Sequence, residues 1–342
     1  MIFIPAAGYI IPMTDTVQSL GQFFIISFPE ERPSDRTLHF ITDNNIGGII
    51  VFAHHCRDID NLKSWLRELK DSRGPDFLIA VDQEGGRVQR LRNRFPGLEA
   101  PRYYGYHNLE KQYRSDLFRT CEQLRELGIN YNLVPGVDLF DSDENHVLDS
   151  RTFGDDIGLV ARFARLTIAI HHEQGLLTAA KHFPGLGRSE GDPHNVLAEA
   201  DLSEEEFFEH EIKPFRMAID EGVDSVMVSH LMMPQIDEKP SIISEKVISG
   251  WLKTGLAFSG PAVTDDLLMQ GAWQALSFPA VVEKSFMAGS DLLLFGADLK
   301  KAREAFEFFT ERAAHGAVSS ERLSDARQRI AKLRRKLTDW YG

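Results

Sequence analysis

The chain has 342 residues, 43% hydrophobic and 26% charged, which excludes a disordered, collagen-like or disulfide-scaffold protein. Its 38 Lys+Arg against 51 Asp+Glu leave a formal net charge of -13, and a body that acidic repels a phosphate backbone, so nucleic acid is not an expected partner. Two cysteines, Cys56 and Cys121, are too few for a disulfide framework and fit a reducing compartment.

Residues 1–12, MIFIPAAGYIIP, are apolar but lack a basic leader and contain Pro5 and Pro12. They read as a terminal extension rather than a signal peptide, with Met13 as an alternative start. No run approaches the roughly 18 apolar residues of a membrane span. Eight short apolar runs follow, at residues 23–28, 48–53, 77–82, 130–134, 177–182, 225–230, 262–265 and 291–295. Most are continuous aliphatic or β-branched stretches, as in parallel strands buried on both faces.

Helical stripes lie between the runs: Ile59, Leu62, Leu66 and Leu69, then Leu109, Tyr113, Leu117, Cys121, Leu124 and Leu127. Helices ending in Gly128, Gly175 and Gly222, successively 47 residues apart, run straight into strands, and Gly47, Gly255 and Gly289 occupy similar places. Ser203 with Glu206 forms a capping-box pattern ahead of Phe207. A last helix over 319–340 carries Leu323, Ile330, Leu333 and Leu337 on one face. Its cluster Lys332, Arg334, Arg335 and Lys336 reads as a solvated face of a docked helix rather than a site for an anionic partner. Eight strands alternating with helices imply a (β/α)8 TIM barrel, because parallel neighbours need crossover helices. With no linker or composition break, residues 13–342 read as a single domain with long active-site loops.

Barrel enzymes carry their chemistry at the C-terminal ends of strands. Here the third run ends in Asp82 and continues QEGGRVQR, the fifth ends in Lys181-His182, the sixth in His230, and the seventh in Asp265-Asp266. After the fifth run comes KHFPGLGRSEGDPHN, in which Asp192 and His194 lie two apart. Pro193 pushes Asp192 toward extended geometry, where side chains two apart share a side, so the carboxylate can orient the imidazole as a general acid/base. The same Asp-x-His also fits a structural loop contact. Asp265 and Asp266 fit two helix-capping residues, or an ionised nucleophile with its neighbour turned aside to bond locally. Asp82 and Arg90, joined by a Gly-Gly turn, suit either a polyhydroxyl ligand or a structural ion pair.

The stretches IGGIIVF, VDQEGGRVQR, SRTFG, KHFPGLGRSEGDPH and PAVTDDLLMQGA together resemble glycoside hydrolase family 3, in particular its single-domain bacterial β-N-acetylglucosaminidases. The pattern K-H-F-P-G-L-G-x4-D-x-H carries most of the specificity. By residue, the resemblance implies Asp265 as nucleophile, His194 as acid/base and Asp192 as its orienting partner. It further implies that Asp82, Arg90, Arg151, Lys181 and His182 hold the sugar hydroxyls. The implied reaction is retaining hydrolysis of terminal GlcNAc from muropeptides carrying 1,6-anhydro-N-acetylmuramic acid. The implied enzyme is a cytoplasmic monomer of peptidoglycan recycling with a carbohydrate substrate and no cofactor.

This chain departs from the family at Pro193, where Ser or Thr is usual, at Leu186, where His is common, and at AHHCRD after the second run. Pro193 bears on how the loop opens and closes. His54, His55 and Cys56 do not read as a metal site, because adjacent residues seldom share one ion. The first run ends Ser27-Phe28-Pro29, without the early His-x-His expected of a metal-dependent barrel hydrolase. A phosphorylase, a family 3 enzyme of other specificity and a silent sugar-binding barrel are the remaining alternatives.

Overall fold

The computed structural model describes residues 20–92, 97–140, 147–190, 198–269 and 277–341. The expected 1–12 extension lies outside them. Among the described residues ten strands occur: β1 (Phe24–Ile26), β2 (Gly48–Val51), β3 (Leu78–Val81), β4 (Tyr131–Asn132), β5 (Leu177–Phe183), β6 (Ala198–Glu199), β7 (Ser225–Val228), β8 (Leu231–Met232), β9 (Ala262–Thr264) and β10 (Leu293–Leu294). Eight form one sheet in the order β10-β1-β2-β3-β4-β5-β7-β9, with every ladder parallel. A parallel bridge from Val263 to Leu292, with Thr264 N–H donating to the Leu292 carbonyl at 2.9 Å, joins the outer strands. The protein is a (β/α)8 barrel.

All eight predicted strands are present, most of them shorter than the apolar runs. Asp82, His230 and Asp265 lie just beyond their strands, where the chain leaves the ladder and turns toward the barrel mouth. At β4 the Asn130 side chain replaces ladder bonds, accepting from Ile79 N and donating to the Phe77 carbonyl, both at 2.8 Å. The short β6–β8 ladder has no hydrophobic period in the sequence to announce it. Phe207–Glu211 and Lys246–Gly255 are wound as wide helical turns, the second burying Val247, Ile248, Trp251 and Leu252 on one face.

Gly128, Gly175 and Gly222 take φ of 89°, 70° and 82°, the left-handed conformation expected where each helix hands over to a strand. Gly289 does the same. Gly47 serves a different need, since a Cβ there would lie 2.2 Å from the Gln22 carbonyl. The Ser203–Glu206 capping box forms as expected.

The C-terminal helix, Ser320–Tyr341, crosses the N-terminal end of the barrel and buries Leu323, Ala326, Ile330, Leu333 and Leu337. Its polar residues bind the segments that lead into the strands. Arg329 donates to the Phe258 and Gly260 carbonyls, Arg334 to Gly47, Lys336 to Asp224 and Tyr341 to Gly175. The expected solvated basic face is thus corrected for Arg334 and Lys336, which are part of the seal. With that end closed, the opposite end is left for chemistry. Leu337→Ala, at a fully buried position, is expected to lower unfolding stability by about 2–5 kcal/mol. Urea denaturation would measure the loss.

Candidate active site

After β3 the chain makes a hairpin-like excursion that brings Arg90 back beside Asp82. Gly85 makes the turn possible: its φ is 113°, and a Cβ would lie 2.3 Å from the Glu99 carbonyl. Gln83 pins the return, its Oε1 accepting from Arg90 N at 2.9 Å and Leu91 N at 3.3 Å. Asp82 and Glu84, two apart, converge on the buried Lys181 from β5. Lys181 Nζ lies 2.8 Å from Asp82 Oδ1 and 2.6 Å from Glu84 Oε1. Arg90 Nη2 meets Asp82 Oδ2 at 3.0 Å. Arg151 grips Glu84 through Nε and Nη2, both at 2.8 Å.

These contacts decide the charges. Burial opposes the Asp82 carboxylate, but Lys181 and Arg90 outweigh it and hold the carboxyl below its ordinary range. Glu84 is depressed in the same way, burial being outweighed by Arg151 and Lys181. Lys181 is raised although burial opposes its charge, because Asp82 and Glu84 flank it. The cluster therefore presents fixed, ionised donors and acceptors, suited to a ligand rich in hydroxyls.

Beyond β9, Asp265 N donates to the Val228 carbonyl and Asp265 Oδ1 accepts from Asp266 N at 2.7 Å. Asp266, at the edge of the same cavity, reaches to the β10 exit, where its Oδ1 accepts from Leu268 N at 2.9 Å and Gly296 N at 2.8 Å. Burial lifts the Asp266 carboxyl from 3.8 to about 6; those two N–H groups pull it down, and Asp265 and Asp82 push it further up. The folded protein therefore holds a proton that the unfolded chain releases between pH 4 and 6. The stabilisation from that proton is complete below pH 4 and lost as pH rises to 6. Asp266→Asn keeps an acceptor for both N–H groups without the charge. Its stability advantage over wild type should grow between pH 4 and 6 and level off at roughly 1–3 kcal/mol. Paired urea titrations across that range would check it.

Asp82, Arg90, Arg151, Lys181, His182 and Asp265 all line one cavity of about 550 Å³ at the C-terminal end of the barrel. Ile50, Phe52, Leu133, Met227 and Leu294 supply its apolar wall, with the Arg90 guanidinium 5.5 Å from the Phe52 ring centre. Asp82 and Arg90 thus form an ion pair and line the cavity at once. Asp192, Pro193 and His194 lie outside the described residues. The flanks of their segment are joined, Glu190 N donating to the Glu199 carbonyl at 2.8 Å and Glu199 N to Glu190 at 3.0 Å. His55 is committed to the backbone, accepting from Phe52 N at 2.9 Å and donating to the Phe28 carbonyl at 3.1 Å, and burial pushes it down to about 3.

Residues 16–333 match the family model for the glycosyl hydrolase family 3 N terminal domain. The chain belongs to glycoside hydrolase family 3. A family 3 relative named beta-hexosaminidase from Neisseria gonorrhoeae (strain NCCP11945) is 35% identical over 266 residues, 74% of this chain and 72% of the relative. One of the same name from Hydrogenovibrio crunogenus is 30% identical over 289 residues, 83% and 80% of the two chains. A solved family 3 β-N-acetylglucosaminidase from Paenibacillus sp. str. FPU-7 superposes with a TM-score of 0.90 at 28% identity. That match covers 95% of this chain but 63% of the longer Paenibacillus one. A β-N-acetylhexosaminidase from Beutenbergia cavernae DSM 12333 gives 0.84 at 26% identity, covering 95% and 98%.

Two acids of this family 3 chain, Glu84 in the cavity wall and Asp138 beneath it, carry no role in the sequence analysis. Glu84 had a signal, since it stands two residues past Asp82 and an extended chain points both the same way. Asp138, the lone charge within NLVPGVDLF, becomes meaningful only once the barrel places it under His182.

Proposed function

We propose that this family 3 hydrolase is a retaining exo-β-N-acetylglucosaminidase, with Asp265 as nucleophile and His194 as acid/base oriented by Asp192. Asp265 attacks the anomeric carbon while His194 protonates the leaving oxygen, and a covalent glycosyl-enzyme forms. Water, deprotonated by His194, then attacks the anomeric carbon and releases the sugar with retained configuration. Asp82, Arg90, Arg151, Lys181 and His182 hold the sugar hydroxyls. The natural substrate on this reading is a muropeptide with GlcNAc linked to 1,6-anhydro-N-acetylmuramic acid. The enzyme acts as a cytoplasmic monomer, with residues 13–342 as its catalytic unit.

One observation carries the reading: Asp265 shares a cavity with the ionised Asp82–Lys181–Glu84–Arg151 cluster. The names of the family 3 relatives support N-acetylhexosaminides as the substrate class. The test compares aryl β-glycosides of GlcNAc, glucose and xylose. Faster aryl alcohol release from the GlcNAc substrate is expected; preference for glucose or xylose, or no release by folded protein, would sink the assignment. Incubation with GlcNAc-1,6-anhydro-MurNAc, followed by mass spectrometry, decides the natural aglycone.

A further inference from the structure

Asp138 lies below the cavity, 1% exposed, and three nitrogens, two of them backbone N–H groups, converge on its carboxylate. His182 N reaches Oδ2 at 3.1 Å, His182 Nδ1 reaches the same oxygen at 2.7 Å, and Leu186 N reaches Oδ1 at 2.8 Å. On the far side of the imidazole, Nε2 lies 3.2 Å from Arg151 Nη2. A guanidinium has only donors, so this contact is a hydrogen bond only if Nε2 is bare, and the ring proton then sits on Nδ1 facing Asp138. Arg151 is fixed in turn by its two bonds to Glu84 and one from Nη1 to the Val147 carbonyl at 3.3 Å.

The geometry points to Asp138 as a positioning residue: it sets the His182 tautomer, which makes Nε2 an acceptor and fixes the Arg151 guanidinium at the sugar site. Its catalytic consequence rests on the proposed reading that Arg151 holds the sugar. An apolar residue, or an amide, cannot substitute. Asparagine offers one acceptor oxygen where three donors arrive on two. Placed toward Leu186 N, that oxygen leaves the amide NH2 facing His182 Nδ1. The ring then has to move its proton to Nε2, where it opposes Arg151. Placed toward His182 instead, it leaves Leu186 N against a donor and releases the loop that follows β5.

The first test uses unaltered protein. Nitrogen-15 NMR of the histidine rings, with the His182 signal identified by its loss in His182→Gln, should report a protonated Nδ1 and a bare Nε2. A protonated Nε2 overturns the proposal without any enzymatic measurement. The second test is Asp138→Asn. It should change the His182 pattern and lower kcat/KM on an aryl N-acetylglucosaminide by about 10- to 100-fold, the equivalent of one or two charge-assisted hydrogen bonds. Either quantity staying at its wild-type value in a folded variant overturns the proposal. Should wild type fail to cleave N-acetylglucosaminides at all, the functional reading falls, while the tautomer measurement still decides the role of Asp138.

Discussion

Asp265→Ala is expected to abolish turnover of every glycoside the wild type cleaves, with a loss on the order of 10⁴-fold or more in kcat. In a double-displacement reaction the nucleophile takes part in both halves, forming the bond to the anomeric carbon and later leaving it, so an activated leaving group does not compensate. The loss should come without unfolding. Asp265 receives a hydrogen bond from Asp266 N, but Asp266 holds the turn itself through Leu268 N and Gly296 N. Steady-state kinetics with a dinitrophenyl substrate, alongside thermal unfolding, would check both halves. Residual turnover within a hundredfold of wild type would remove Asp265 from the nucleophile role.

His194→Ala should give a different signature. A general acid contributes about 10² to 10⁴-fold when the leaving oxygen needs a proton, and little when the leaving alcohol is already acidic. The variant is therefore expected to lose that factor on an alkyl or phenyl N-acetylglucosaminide and less than about tenfold on the first step with a dinitrophenyl one. Pre-steady-state release of the aryl alcohol isolates that step. Equal losses on both substrates would assign His194 a structural role and leave the proton donor to be found elsewhere. Asp192→Asn should follow the same pattern more weakly, since the imidazole remains and only its orientation and basicity suffer.

Much of this architecture is legible before any coordinates. The strand positions follow from continuous apolar runs, which only a sheet covered on both faces tolerates, and the helix-to-strand joints follow from Gly128, Gly175 and Gly222. The positions of Asp82 and Asp265 at strand exits and of Lys181 near the end of β5, and hence at one mouth, follow from the barrel rule applied to those runs. The boundaries were less legible. A strand ends where its partner stops bonding to it, as at β4, where Asn130 and Asn132 take over from the ladder with their side chains.

Hydrophobic period and residue order are local properties, so they already specify the barrel, its open end and most of the charged groups gathered there. How those groups pair depends on the folded chain. Glu84 and Arg151 are 67 residues apart, Asp82 and Lys181 are 99 apart, and Asp138 and His182 are 44 apart. No local pattern marks such pairs, because their attraction appears only when separate strands converge and water is excluded from between the charges. Ionisation, tautomer and orientation depend on those contacts. The chain order therefore names the charged groups at the barrel mouth, and the closed barrel sets their pairing and aim.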